Sequence, residues 1–83
     1  MFHKVKSVTP LPDLCLLAEF QDGMKKKYDV KPLFKKWPAF RILDSVPGLF
    51  EQVRVDAGGY GVSWNDDIDL SCDELYHCGE CPT

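Results

Sequence analysis

No apolar run in this chain is longer than the five residues from Leu14 to Ala18, far short of the about 20 that cross a bilayer. The opening Met-Phe-His-Lys-Val-Lys lacks the charged-then-apolar order of a secretory signal. A cytoplasmic protein is therefore expected. Histidine is scarce: His3 and His77 are the two present, both near the termini, whereas a hydrolase triad needs a histidine held on rigid structure. Ser63 and Ser71 are accounted for by a strand and a helix cap, so the chain is not expected to be an enzyme. No phosphate loop is found either. Gly58-Gly59-Tyr60-Gly61 runs into a strand, where phosphate binding requires the N-terminus of a helix, and no cofactor is expected. Cysteine is limited to Cys15, Cys72, Cys78 and Cys81; without a secretion signal these read as free thiols rather than disulfides.

What is present is one small domain. At 83 residues and 45% apolar content the chain buries roughly 60% of its unfolded surface. Its net charge of -3 hides an asymmetry. Residues 1–43 hold nine Lys or Arg and four acids, whereas residues 44–83 hold one Arg and nine acids. A dipolar molecule follows, with mutual neutralisation of the halves or a charged partner as its two uses.

The fold is organised around Val53 to Tyr76. The pattern predicts an α+β single domain of antiparallel β-strands with short helices in approximately βββ-α-α-ββ-α order, compact over residues 1–76 and with a flexible C-terminal tail over 77–83. Val5 and Val8 alternate with lysines in a first strand that Thr9-Pro10-Leu11-Pro12-Asp13 interrupts, since proline cannot donate to a ladder. Leu14, Leu16, Ala18 and Phe20 line one face of the second strand. A two-residue turn at Asp22-Gly23 would set lysines opposite Phe20 and Ala18. A three-residue loop, Gln21-Asp22-Gly23, pairs Phe20 with Met24, Ala18 with Lys26 and Leu16 with Tyr28, and leaves only Lys26 on the apolar face. That register is predicted.

Asp29 is positioned to cap a short helix whose apolar side is Leu33, Phe34 and Trp37, and Pro38 opens another with Phe40, Ile42 and Leu43 inward. Leu49, Glu51, Val53 and Val55 are expected on one strand face, with Phe50 and Arg54 on the other. After a glycine turn, Tyr60, Val62 and Trp64 alternate along a strand, Trp64 being the expected core anchor. Asn65-Asp66-Asp67 forms a turn. Ser71 and Glu74 have capping-box spacing, flanked by Leu70 and Leu75 at staple positions, before a helix from about Cys72 to Tyr76.

Three groups of residues carry chemistry worth weighing. The oxygen ligands Asn65, Asp66, Asp67, Asp69, Asp73 and Glu74 suggest calcium, but a loop begun at Asn65 has Leu70 in the sixth position and Tyr76 in the twelfth, where glycine and glutamate belong. Turn and cap explain them better. Cys72, His77, Cys78 and Cys81 are zinc-type donors, with Cys78-Gly-Glu-Cys81 at zinc or redox spacing, yet all four fall within ten residues. Structural zinc, a redox pair and an ordinary tail all stay open, with no metal as the primary expectation. Lys25, Lys26, Lys27, Lys31, Lys35 and Lys36 form a candidate surface for nucleic acid or a protein partner, or a strand edge protected by charge.

Val5 to Phe20, Gly23, Tyr28-Asp29, Pro32-Leu33, Phe40 and the run Val53 to Ser71 resemble a bacterial family known as domain of unknown function 2442. The resemblance covers about residues 2–76, Trp64, Asp69-Leu70-Ser71 and Leu75 being its most specific part; Cys78 to Thr83 lies outside it. It implies a compact α+β domain of antiparallel strands, found alone or ahead of a helix-turn-helix domain. Stand-alone members are often encoded beside another small protein, in an arrangement similar to toxin and antitoxin pairs. The resemblance brings no catalytic residues. The resulting expectation is a protein-interaction or regulatory module, the antitoxin-like partner of a small two-protein system. The alternative is a nucleic-acid-binding accessory domain using the lysines, and the third reading is a zinc or redox role for the tail.

Overall fold

The computed structural model describes residues 3–80. Two antiparallel three-stranded sheets and three short helices make up the α+β domain, in the order β1–β3, α1, α2, β4–β6, α3. The first sheet runs β1 (Val5–Leu11), β2 (Cys15–Phe20), β3 (Lys25–Asp29), and the second β4 (Arg54–Val55), β5 (Gly61–Ser63), β6 (Asp69–Ser71). Helices α1 (Leu33–Lys36) and α2 (Ile42–Ser45) link the sheets, and α3 (Cys72–Cys78) follows the second. Among the described residues no helix is long and apolar enough to cross a membrane.

The β2–β3 register is the one that hydrophobic matching demands. Leu16 faces Tyr28 and Ala18 faces Lys26. The Phe20 N–H donates to the Met24 carbonyl at 2.8 Å, and Gly23 takes φ +91°, as a left-handed loop residue should. Lys26 is accommodated on the inner face because its Nζ lies 5.0 Å from the centroid of the Tyr76 ring, while its stem covers apolar surface.

Three local expectations are corrected. First, β1 continues through Pro10 to Leu11, because an outer strand of a sheet tolerates a residue that cannot donate. Beyond it, Asp13 and Leu14 both adopt left-handed φ, at 64° and 58°, a conformation rare for a bulky side chain. The Lys31 ammonium donates to the Asp13 carbonyl and the Val30 N–H to that of Leu14 at 3.0 Å, fixing this turn. Second, the strand expected over Leu49–Val55 shrinks to two residues. Phe50–Gln52 forms a 3-10 turn, which swings Phe50 inward where alternation had placed it on the outer face. Third, Asp69–Ser71 pairs with β5 as a strand of its own, one more than the predicted order contained.

The core draws on every element. Leu16, Ala18 and Phe20 of β2, Val5 of β1, Val62, Trp64, Ile68 and Leu70 around the second sheet and Leu75 of α3 are all buried. Each large apolar side chain so buried contributes about 1.5–3 kcal/mol. Trp64 is anchored at both ends: its ring stacks on Phe50 at 6.0 Å and its Nε1–H donates to the Phe50 carbonyl at 3.0 Å. The sheets meet closely at Gly59, where a Cβ would lie 2.6 Å from the Val5 carbonyl oxygen.

At the end of the chain, α3 continues to Cys78, two residues past the expected limit. Lys27 and Glu80 then exchange backbone hydrogen bonds of 2.6 and 2.8 Å, which pair the segment after α3 with the outer side of β3. Residues 81–83 lie outside the described residues.

Candidate interaction site

Trp37 precedes Pro38, and a residue before proline is excluded from helical geometry by the ring. It is accordingly extended, with φ -133° and ψ 97°, and α1 ends there. Its backbone is held on both sides: its N–H donates to the Leu33 carbonyl at 2.7 Å and its carbonyl accepts from the Phe40 N–H at 3.0 Å. The side chain leaves the apolar face of α1, where a buried position was expected, and is 45% exposed. Trp37 lies 6.2 Å from Phe40, Phe40 packs edge-to-face on Trp64 at 6.1 Å, and Trp64 stacks on Phe50. An aromatic series thus runs from the surface into the core, each contact contributing about 0.5–1.5 kcal/mol beyond area.

Facing Trp37, Ala39 and Phe40 across a groove of about 380 Å³ are Asp67, Asp69, Leu70, Ser71 and Glu74. β6 is the outer strand of its sheet. The Ile68 carbonyl accepts from the Trp64 N–H and the Cys72 N–H donates to the Tyr60 carbonyl, both on the β5 side. Alternation therefore turns the N–H and C=O of Asp69 and the N–H of Ser71 to the outer edge. Local chemistry fixes the rim. The Asn65 Oδ1 accepts from the N–H groups of Asp67 and Ile68 at 2.8 and 3.0 Å, holding the turn that carries Asp67. The Ser71 hydroxyl caps α3 by accepting from the Glu74 N–H at 3.1 Å. The Glu74 carboxylate does not close the reciprocal half of the capping box; its Oε2 accepts from the Tyr28 hydroxyl at 2.8 Å. Burial and that carboxylate push the Tyr28 hydroxyl well above its ordinary pKa.

The groove is acidic as well as apolar. Among the described residues, the side-chain ion pairs join His3 to Asp22 and Lys31 to Asp29, so neither engages Asp67, Asp69 or Glu74.

The lysines expected to form one surface are divided by the pleat. Lys25 and Lys27 share the outer face of β3, whereas Lys26 shares the inner face with Tyr28. Lys31 is tied to Asp29 at 3.1 Å, which raises its pKa. Lys36 places its Nζ 4.8 Å from the Trp37 ring centroid, and Lys35 is exposed on α1. Of the zinc-type donors, Cys72 is buried in the core beside Leu75, while His77 and Cys78 are exposed on α3. Cys81 lies outside the described residues. No three His, Cys, Asp or Glu side chains among the described residues gather as a metal cage. The Cys78 thiol is raised above its ordinary pKa by a hydrogen bond to Glu74, which disfavours the reactive thiolate. The residues considered for nucleophilic catalysis lie on different elements. Ser63 donates to Asp56 at 2.6 Å. His3 stacks on Tyr76 at 3.5 Å, with His77 edge-on to that ring at 5.6 Å.

Sequence reasoning missed the groove because it assigned Trp37 to the buried side of α1 and gave Asp69 and Ser71 purely mechanical roles. The signal that would have found it is the Trp37-Pro38 pair, which forbids the helical geometry that burial on α1 requires.

Over residues 5–79 the chain matches the family model described as Protein of unknown function (DUF2442). The chain belongs to that family. The match passes the expected limit at residue 76 and takes in Cys78, which had been placed outside the shared pattern. Comparison with curated proteins and with solved structures gives no match.

Proposed function

We propose that this domain is a protein-interaction module, the regulatory or antitoxin-like half of a small two-protein system acting in the cytoplasm, and that its partner docks in the groove between Trp37 and β6. The observation that carries the reading is the exposed Trp37 facing an outer strand. Tryptophan is enriched among the side chains that dominate binding energy, and an outer strand offers backbone groups to an added strand. Here the two lie on opposite walls of one groove: Trp37 and Phe40 supply the apolar contact, and Asp69 and Ser71 the backbone donors and acceptor. The aromatic series behind Trp37 holds its ring in place, so little side-chain freedom is lost on binding. Family context adds support, since members of this family are often encoded beside another small protein.

Recognition of nucleic acid by the lysines is less well supported. Lys26 and Lys36 lie against aromatic rings, and Lys31 is paired with Asp29.

The test is co-expression with the product of the adjacent gene, followed by an affinity measurement on the purified complex. A complex that Trp37→Ala weakens at least tenfold, and Lys25→Ala with Lys27→Ala leaves within twofold, is the expected result. The absence of a complex at tens of micromolar, or one indifferent to Trp37→Ala, contradicts the proposal.

A further inference from the structure

Resting on the interaction reading, the geometry points to the chemistry of the occupant: an extended segment of a different protein that carries arginine or lysine on either side of an apolar side chain. Charge complementarity in a defined place selects this occupant. Asp67, Asp69 and Glu74 rim the groove, and no Lys, Arg or His is among its lining residues. Their carboxylates belong to neither of the two side-chain ion pairs found among the described residues. Glu74 is already engaged by the Tyr28 hydroxyl and the Cys78 thiol, so Asp67 and Asp69 are the carboxylates left for an incoming donor. A neutral or acidic partner would strip water from these carboxylates without replacing it, whereas a guanidinium or ammonium replaces those hydrogen bonds in kind.

The apolar part of the segment has its own place against Trp37, Phe40 and Leu70. Residues of an extended chain alternate in direction, so an apolar residue facing these rings is flanked by neighbours that point away from them, toward the rim. At the rim these neighbours meet carboxylates, which the planar fork of a guanidinium matches with two parallel hydrogen bonds where an ammonium is a point charge. Arginine is therefore the preferred flanking residue.

The experiment uses three short peptides of one design, capped at both ends: Arg-Leu-Arg-Val-Arg, its citrulline counterpart, which keeps the shape and loses the charge, and its glutamate counterpart. Each is titrated into the isotopically labelled full chain while backbone amide and indole N–H resonances are followed. The arginine peptide is expected to shift Trp37, Asp69 and Ser71, and to bind at least tenfold tighter than the citrulline peptide at 50 mM salt. Asp67→Asn with Asp69→Asn, both at exposed positions, should weaken the arginine peptide roughly fivefold and leave the citrulline peptide unchanged.

Equal affinity for the arginine and citrulline peptides overturns the basic occupant while leaving the groove as a docking site. Arginine-peptide binding that survives the double substitution, shifts confined to other surfaces, or no binding at millimolar peptide also overturns it. Self-association of the free chain that Trp37→Ala abolishes would identify a second copy as the occupant and likewise overturn it. Failure of the interaction reading itself is separate: it is an adjacent gene product that does not bind, or whose binding ignores Trp37→Ala.

Discussion

Gly59 and Gly48 offer a comparison in which one variable changes. Both adopt left-handed backbone, at φ +79° and +80°, but a Cβ on Gly48 meets nothing within 4 Å, whereas one on Gly59 lies 2.6 Å from the Val5 carbonyl oxygen and 3.2 Å from the Val5 nitrogen. Gly48→Ala therefore incurs only the conformational penalty, about 1–2 kcal/mol. Gly59→Ala adds a clash with backbone that cannot move without separating β1 from the second sheet, and overpacking of this kind costs typically 1–3 kcal/mol. Gly59→Ala should accordingly destabilise the domain by about 2–5 kcal/mol. A domain of this size loses about 4–8 °C of Tm per kcal/mol, so the two variants, which differ by the clash alone, should melt roughly 4–24 °C apart. Urea denaturation followed by circular dichroism is the assay, with the midpoints compared at equal slope. Equal midpoints for the two variants would refute the claim that the sheets are joined at this contact.

Three further outcomes follow from single interactions. Trp64→Phe removes the indole N–H from the Phe50 carbonyl, which keeps the Val53 N–H at 3.4 Å, and leaves a gap beside the Phe50 ring; a loss of about 1–3 kcal/mol is expected by urea denaturation. Ser71→Ala removes the hydroxyl that accepts from the Glu74 N–H and should cost about 1 kcal/mol. The Tyr28 hydroxyl has a raised pKa in the folded state, so the unfolded chain releases that proton first. Its contribution is fully present below the unfolded pKa of about 10 and is lost as pH rises from there toward the folded value. Urea midpoints measured between pH 8 and 11 should fall more steeply above about pH 10 for the wild type than for Tyr28→Phe, and identical profiles would refute the assignment.

Period-two alternation over Leu14 to Phe20 located β2, and the need to keep lysines off its apolar face was enough to choose the β2–β3 register, because a one-residue slip would reverse every side chain. Caps and turns were equally legible at Asn65, Ser71 and Gly23, where side-chain or backbone chemistry acts within three residues. Alternation failed at Phe50, because a 3-10 turn replaces the two-residue period with a three-residue one, and the partner that makes this worthwhile, Trp64, is 14 residues away. Pro10 misled because the chain pattern does not say which strand will be outermost. The groove was invisible for a related reason: its walls come from α1, the turn after it, β6 and α3, and only the tertiary arrangement brings Trp37 opposite Asp69.

The most direct test of the docking site is hydrogen–deuterium exchange on the full chain, free and saturated with the adjacent gene's product. Slowed exchange concentrated at residues 37–40 and 67–74, with β3 unchanged, is the predicted result. Protection confined to residues 25–27, or a pattern identical in the free and bound chain, would contradict the assignment of the Trp37–β6 groove as the partner's binding site.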